Sequence, residues 1–231
     1  VLFRSFDNIR KFLRFLLSSN LGEVCTVFFG VVLAGLIGLD QGGDELVVPL
    51  LATQILWINL VTDTAPALAM GVDPEIDDVM ARPPRPAEAR VIDARMWGTI
   101  LLTGLVMGAV TLFTLDLFLP GGLVSGSDSL EVARTAAFTT LVLAQLFNAV
   151  NARSETTTAF SRLFSNRWLL GAIGLTVLLQ VLVVSVPFLQ TAFGTASLEP
   201  VHWAVCIAMA SLVLWAEELR KLVLRARDAR A

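Results

Sequence analysis

Trp57-Ile-Asn-Leu-Val-Thr-Asp-Thr-Ala-Pro66 places an ionisable carboxylate, Asp63, in the middle of an apolar run of membrane length. On a helix, Asn59, Thr62 and Asp63 stand at i, i+3 and i+4 and so share one face. Pro66 follows three residues later; it has no N–H and clashes with the carbonyl four residues back, that of Thr62. The helix is therefore predicted to bend or open where the oxygen-bearing side chains sit. A charge at membrane depth costs at least ~2.5 kcal/mol on insertion scales and by default marks a functional site. The stretch reads as a cation site.

Composition supports the membrane setting. Hydrophobic residues make up 55% of the 231-residue chain and charged ones 16%, with a mean hydropathy of +0.74. A soluble domain of this size carries more charge. The net charge of -3 gives no sign of a nucleic-acid partner. Cys25 and Cys206 both fall inside apolar runs and read as core residues, not as a disulfide or metal pair. The chain opens at Val1 with a basic amphipathic segment and shows no signal peptide, which suggests a piece of something longer.

Crossing ~30 Å of hydrocarbon takes roughly 20 apolar residues. Runs near 15–39, 48–71, 96–119, 133–152, 168–188 and 201–219 qualify, which predicts an all-α, polytopic membrane protein of six spans. Breakers such as Asp40-Gln-Gly-Gly43 and Pro120-Gly-Gly122 punctuate the runs, and Arg82-Pro-Pro-Arg-Pro86 makes the 72–95 connection stiff and extended. Sixteen of the 17 basic residues fall before span one, between two and three, between four and five, or after six; Arg134 is the exception. The positive-inside rule then predicts that both termini are cytoplasmic.

Span one adds Ser18-Ser-Asn-Leu-Gly-Glu23, in which Asn20 and Glu23 share a helix face and Gly22 allows close approach of another helix. With Asn59, Thr62 and Asp63 this gives carboxylate, amide and hydroxyl oxygens on two consecutive spans. Such donors suit hard cations, and calcium takes six to eight of them. No His or Cys joins the set, which argues against zinc or copper. The bland alternative is that Glu23 and Asp63 are protonated and only hydrogen-bond between helices. Gln145, Asn148 and Asn151 form a further polar stripe, readable as helix–helix glue or as ligands. His202 and the five tryptophans read as interfacial or packing residues, Glu217 and Glu218 as solvated, and Asp116 has no assigned role.

Ser18-Ser-Asn-Leu-Gly-Glu23, Asn59-Leu-Val-Thr-Asp63 with Ala65-Pro66, Gly71-Val-Asp-Pro74 and Met80-Ala-Arg-Pro-Pro-Arg85 together resemble a known family. In order and spacing they are similar to the fifth to tenth transmembrane helices of P-type cation-transporting ATPases of the calcium-pump-like branch; Asn148-Ala-Val-Asn-Ala-Arg-Ser154 matches more loosely. The resemblance implies that Asn20, Glu23, Thr62 and Asp63 correspond to ligands of a first calcium site, and Asn59 with the shared Asp63 to ligands of a second. Gln145 stands where two-site calcium pumps have a glutamate, a departure that bears on ion identity and stoichiometry. The resemblance also implies a division into a stalk (1–14), an ion-binding hairpin (15–71), a cytoplasmic coupling loop (72–95), four supporting spans (96–219) and a basic tail (220–231). Pro83, Pro84 and Arg85 are the coupling-loop candidates.

The sequence contains no Asp-Lys-Thr-Gly phosphorylation motif and no Thr-Gly-Glu-Ser actuator motif. Mg2+ and ATP are thus expected to act only through a partner half that also carries the first four membrane helices. The expected function is ATP-driven export of Ca2+ from the cytoplasm across a plasma membrane, bacterial by its Ala-, Val- and Arg-rich usage. Two acids left without a cation in a low-dielectric site favour their neutral forms, which predicts H+ countertransport. The rival readings are an ATP-independent secondary cation transporter or exchanger and a non-transporting membrane remnant.

Overall fold

Apolar runs of this length in lipid must satisfy every backbone group internally, and helices do so. The computed structural model describes residues 2–39, 47–74, 91–124, 126–155, 157–161 and 163–228. Its regular elements are all helical: α1 (Leu2–Val32), α2 (Ala52–Trp57), a π-helical segment (Ile58–Thr62), α3 (Thr64–Gly71), α4 (Ala94–Phe118), α5 (Leu130–Asn151), a 3-10 turn (Leu163–Ser165), α6 (Arg167–Ser185), α7 (Pro187–Phe193) and α8 (Pro200–Asp228). Five stretches within these helices are long and apolar enough to cross a membrane: Phe6–Val32, Ala94–Phe118, Leu130–Asn151, Arg167–Ser185 and Pro200–Arg227. The second expected span is the exception, because its helix is broken into α2, the π segment and α3. Pro83, Pro84 and Arg85 lie outside the described residues, as does the Asp40–Gly43 breaker.

Helix starts follow local chemistry. Asp93, Ser129 and Asn166 cap α4, α5 and α6, accepting from Met96 N (2.8 Å), Val132 N (3.3 Å) and Leu169 N (3.0 Å). Pro187 opens α7, and Gly194 at φ 59° closes it in the left-handed region. At that end of the bundle, Asp116 is buried and accepts from Leu123 N (2.7 Å) and Val124 N (3.0 Å), so its role is to fold the α4–α5 turn. Cys25 and Cys206 are free and buried, as expected of core residues.

α1 packs along α4 through glycines. A Cβ on Gly22 would come 2.9 Å from Met107 Cβ, one on Gly104 2.8 Å from Leu21 Cβ, and one on Gly108 2.7 Å from Cys25 Cβ. The approach foreseen at Gly22 is therefore part of a three-glycine seam. Gly108→Val is expected to destabilise the bundle by roughly 1–3 kcal/mol through overpacking, read as a lower thermal midpoint in detergent. Gly98→Ala on the same helix, where an added Cβ meets nothing within 4 Å, is the control and should not destabilise.

At the end where α1 begins and α8 finishes, buried ion pairs tie the elements together. Asp73, fully buried, accepts from Lys11 Nζ (2.8 Å), Arg153 Nε (3.1 Å) and Asn166 Nδ2 (2.8 Å). Asn8 Nδ2 donates to the carbonyls of Gly71 (3.1 Å) and Asp73 (3.2 Å). One carboxylate thus joins α1, the end of α3, the α5–α6 connection and the cap of α6. Arg10 bridges Asp93 (2.8 Å) and Glu155 (3.1 Å), and Arg14 also reaches Glu155 (3.1 Å). Glu217 is not solvated as expected: it is 3% exposed, accepts from Thr103 Oγ1 at 2.6 Å and pairs with Arg220 at 2.9 Å. Glu218 accepts from Ala159 N (2.7 Å) and Lys221 Nζ (3.3 Å). Glu217 is desolvated because α8 packs against α4 and α5 at this level, and Thr103 and Arg220 take the place of solvent.

Candidate cation site

Pro66 opens the helix as its chemistry requires. Within Ile58–Thr62 the hydrogen bonds lengthen to i→i+5, and Asp63 N donates to Ile58 O at 3.0 Å. Thr62 Oγ1 donates to the same carbonyl at 2.9 Å, and Thr64 Oγ1 to Asn59 O at 3.4 Å. α3 then restarts with Ala67 N on Asp63 O at 3.0 Å. The break lies at the level of the polar side chains.

Glu23, 5% exposed, lies across from the break. Asn59 Nδ2 donates to its Oε2 at 2.6 Å and Gln145 Nε2 to its Oε1 at 3.0 Å. Three elements, α1, the π segment and α5, therefore converge on one carboxylate. Asp63 is 1% exposed, and both of its carboxylate oxygens are buried without a hydrogen-bond partner, as is Gln145 Oε1. Buried oxygens are normally satisfied, and an unpaired buried carboxylate is costly. A hard cation seated among them would supply what they lack. Rotating an amide by half a turn exchanges its N–H2 and its C=O, so Asn59 and Gln145 can either satisfy Glu23 or offer oxygens to an ion beside it.

The structure brings Glu23, Asn59 and Gln145 into direct contact, and the buried Thr62 (1% exposed) and Asp63 follow Asn59 within one turn of the chain. Asn20 stands one turn before Glu23 and is exposed, and Asn59 is exposed as well. Both lie on helices that show Val24, Phe28, Leu56, Leu60 and Leu68 on the outer surface. The site thus sits against an uncovered apolar face. The polar stripe of α5 divides: Gln145 reaches the site, whereas Asn148 Nδ2 holds Ser18 Oγ at 2.8 Å and Asn151 Nδ2 holds Val213 O at 3.4 Å. Asp73 is the residue whose part the motif reading missed, since its partners Lys11 and Arg153 are far away in sequence. Among the described residues no three His, Cys, Asp or Glu side chains cluster as a metal site, so the neutral oxygens matter.

Residues 47–223, from the strand of chain before α2 to α8, match the family defined as "Cation transporting ATPase, C-terminus". The chain belongs to this ATPase family. It is 36% identical over 207 residues to a calcium-transporting ATPase of Bacillus subtilis (strain 168), covering 90% of this chain and 22% of that protein. It is 34% identical to calcium-transporting ATPase 1 of Bacillus cereus (strain ATCC 10987 / NRS 248), covering 94% and 24%. A plasma membrane-type relative, calcium-transporting ATPase 12 of Arabidopsis thaliana, is 35% identical over 90% of this chain and 18% of its own length. The chain therefore spans about a fifth to a quarter of the length of these relatives. It is a multi-pass membrane region of a P-type cation-transporting ATPase.

Proposed function

We propose that this region is the ion-binding membrane half of an ATP-driven pump that exports Ca2+ from the cytoplasm, with H+ carried back. The observation that carries the reading is the trio of buried oxygens without partners, Asp63 Oδ1, Asp63 Oδ2 and Gln145 Oε1, beside Glu23 at a break in a membrane helix. The relatives' names add calcium as the ion for those proteins. Glu23, Asn59, Thr62, Asp63 and Gln145 are the proposed ligands of this chain, with Asn20 completing the set where the site meets its uncovered face. That face is the place for the first four membrane helices of a partner half, which also brings the phosphorylation and nucleotide-binding domains where ATP and Mg2+ act.

Phosphorylation there would switch the site between a tight inward-facing and a weak outward-facing state, since a two-state protein releases an ion only by differential affinity. Pro83, Pro84 and Arg85 are the proposed contact with the phosphorylation domain. The basic end of the bundle faces the cytoplasm in this reading, and the membrane is a bacterial plasma membrane.

The test is ATP hydrolysis by the complete pump in membranes as calcium is titrated. Stimulation at micromolar calcium is the expected result. Stimulation by sodium, potassium or manganese alone would replace the ion, and cation flux without ATP would identify a secondary exchanger. In sealed vesicles, calcium uptake should alkalinise the lumen that the calcium enters, because H+ leaves it in exchange, and Glu23→Gln with Asp63→Asn should abolish that proton signal. A proton signal that survives in the double variant rules out these two acids as the carriers.

A further inference from the structure

Gln54 lies within the second expected span and is 0% exposed, a costly place for an amide unless it is fully bonded. Its Oε1 accepts from Leu51 N (3.1 Å), and its Nε2 donates to Phe193 O (3.2 Å) and Gly194 O (3.4 Å). One side chain thus caps the start of α2 and the end of α7 together. The contact continues along α2. A Cβ on Gly194 would stand 2.5 Å from Leu51 Cδ1, and Trp57 meets Phe193 edge-on with ring centroids 4.9 Å apart. Leu51, Gln54 and Trp57, spaced three apart, therefore form one face that docks on α7.

This dock decides how α2 is turned. At six residues α2 is too short to hold a helix by itself, and the π segment separates it from α3. α3 takes its place from other ties, Asp73 to Lys11 (2.8 Å) and Asn166 Nδ2 to Ala69 O (3.0 Å). Arg134 holds the chain that enters α2, donating from Nε (3.3 Å) and Nη2 (3.1 Å) to Val48 O. Both of those bonds end on one oxygen, about which the chain can pivot. Gln54 is tied to two carbonyls of α7 and to Leu51 N, which fixes rotation. Asn59 stands five residues on, about 140° around the helix. With α7 on one side of α2, Asn59 is aimed at the other, where its Nδ2 meets Glu23 Oε2 of α1 at 2.6 Å. Turning α2 by one residue's angle, about 100°, would carry Asn59 away from Glu23.

We propose that Gln54 is a positioning residue of the cation site, whose bonds to α7 set the rotation of α2 that delivers Asn59 to Glu23. None of its side-chain bonds reaches a proposed ligand, so it acts through the helix. The end of α7 thereby belongs to the frame of the site. The rival role is a cap that stabilises two helix ends and nothing more. This inference rests on the cation-site reading above.

The experiment uses the complete pump in membranes and reads the calcium concentration for half-maximal ATP hydrolysis. Loss of folded protein lowers the maximal rate and leaves that concentration in place. Gln54→Leu is expected to raise it about fivefold, below the roughly 10–100-fold cost of losing a group that bonds a metal ligand directly. Gly194→Ala, strained at φ 59° and crowded against Leu51, disturbs the same dock from the α7 side and should shift it in the same direction. Asn59→Ala should raise it at least as far. Gln54→Leu added to Asn59→Ala should then raise it no further, because the side chain it positions is gone. Additive shifts from these two would overturn the proposal. So would an unchanged half-saturation in Gln54→Leu, or in Gly194→Ala where Gln54→Leu leaves no folded pump, while Asn59→Ala is shifted; Gln54 is then a cap and the cation site stands. Wild-type half-saturation in Asn59→Ala removes Asn59 from the ligands, and the cation-site reading fails together with the positioning argued from it.

Discussion

Asp63→Asn in the complete pump is expected to abolish calcium-stimulated ATP hydrolysis without lowering the stability of the membrane region. Both oxygens of Asp63 are buried and unpartnered, so the residue adds little to folding, and in the proposed site its part is ion capture. Asparagine keeps the shape and removes the charge. Loss of even a supporting contact to a metal ligand costs 10–100-fold in affinity, and loss of the ligand's charge should exceed about 100-fold. The two properties should separate in one preparation. Thermal unfolding in detergent should begin at or above the wild-type temperature, while the upward shift that calcium gives the wild type disappears. A variant that unfolds early and still responds to calcium would make Asp63 a packing residue, the bland alternative of the sequence reading.

Asp73→Asn should do the reverse. Its carboxylate receives Lys11 and Arg153, which are 3% and 2% exposed, and neutralising it leaves two buried cations facing each other. Breaking a buried pair on one side costs about 3–5 kcal/mol. The expected result is a large drop in thermal midpoint and in the amount of folded protein recovered. Adding Lys11→Met to the variant should return part of the loss, because the uncompensated charge is the larger share of the penalty. Strictly additive effects of the two substitutions would show that Lys11 and Asp73 are not energetically coupled.

The two residues also show what can be read from a linear chain. Asp63 announces itself because a charge in an apolar run and a proline three residues on are local signals, and the π segment appeared where Pro66 put it. The all-helical architecture is equally local, since length and hydropathy alone select helices in lipid. Asp73 carries no such signal. Its partners lie 62 and 80 residues away, and only packing reveals that a motif residue at the end of a helix is a tie between four segments. Glu217 failed for the same reason: two acids at a helix end look solvated until α4 is seen to deliver Thr103 against one of them. Gln145 reads as glue or ligand on paper, and its contact with Glu23 across 122 residues is visible only in the packed bundle. Ser18 and Asn20 stand in one motif, and only the neighbouring helices show that the first is held by Asn148 and the second is left exposed.

The π segment has a consequence for how the two halves of the broken helix relate. A hydrogen bond that skips five residues where an α-helix skips four inserts one residue, about 100° of angular phase. Positions before Ile58 and after Asp63 therefore follow two helical wheels offset by that angle. Deleting one residue from Ile58–Thr62 would remove the offset by letting the segment close toward α geometry, with α2 and α3 keeping the faces they present now. The extra residue thus decides which side chains of the break turn toward Glu23 and leaves the packing on either side of it intact, so the break is a local feature that one deletion could erase.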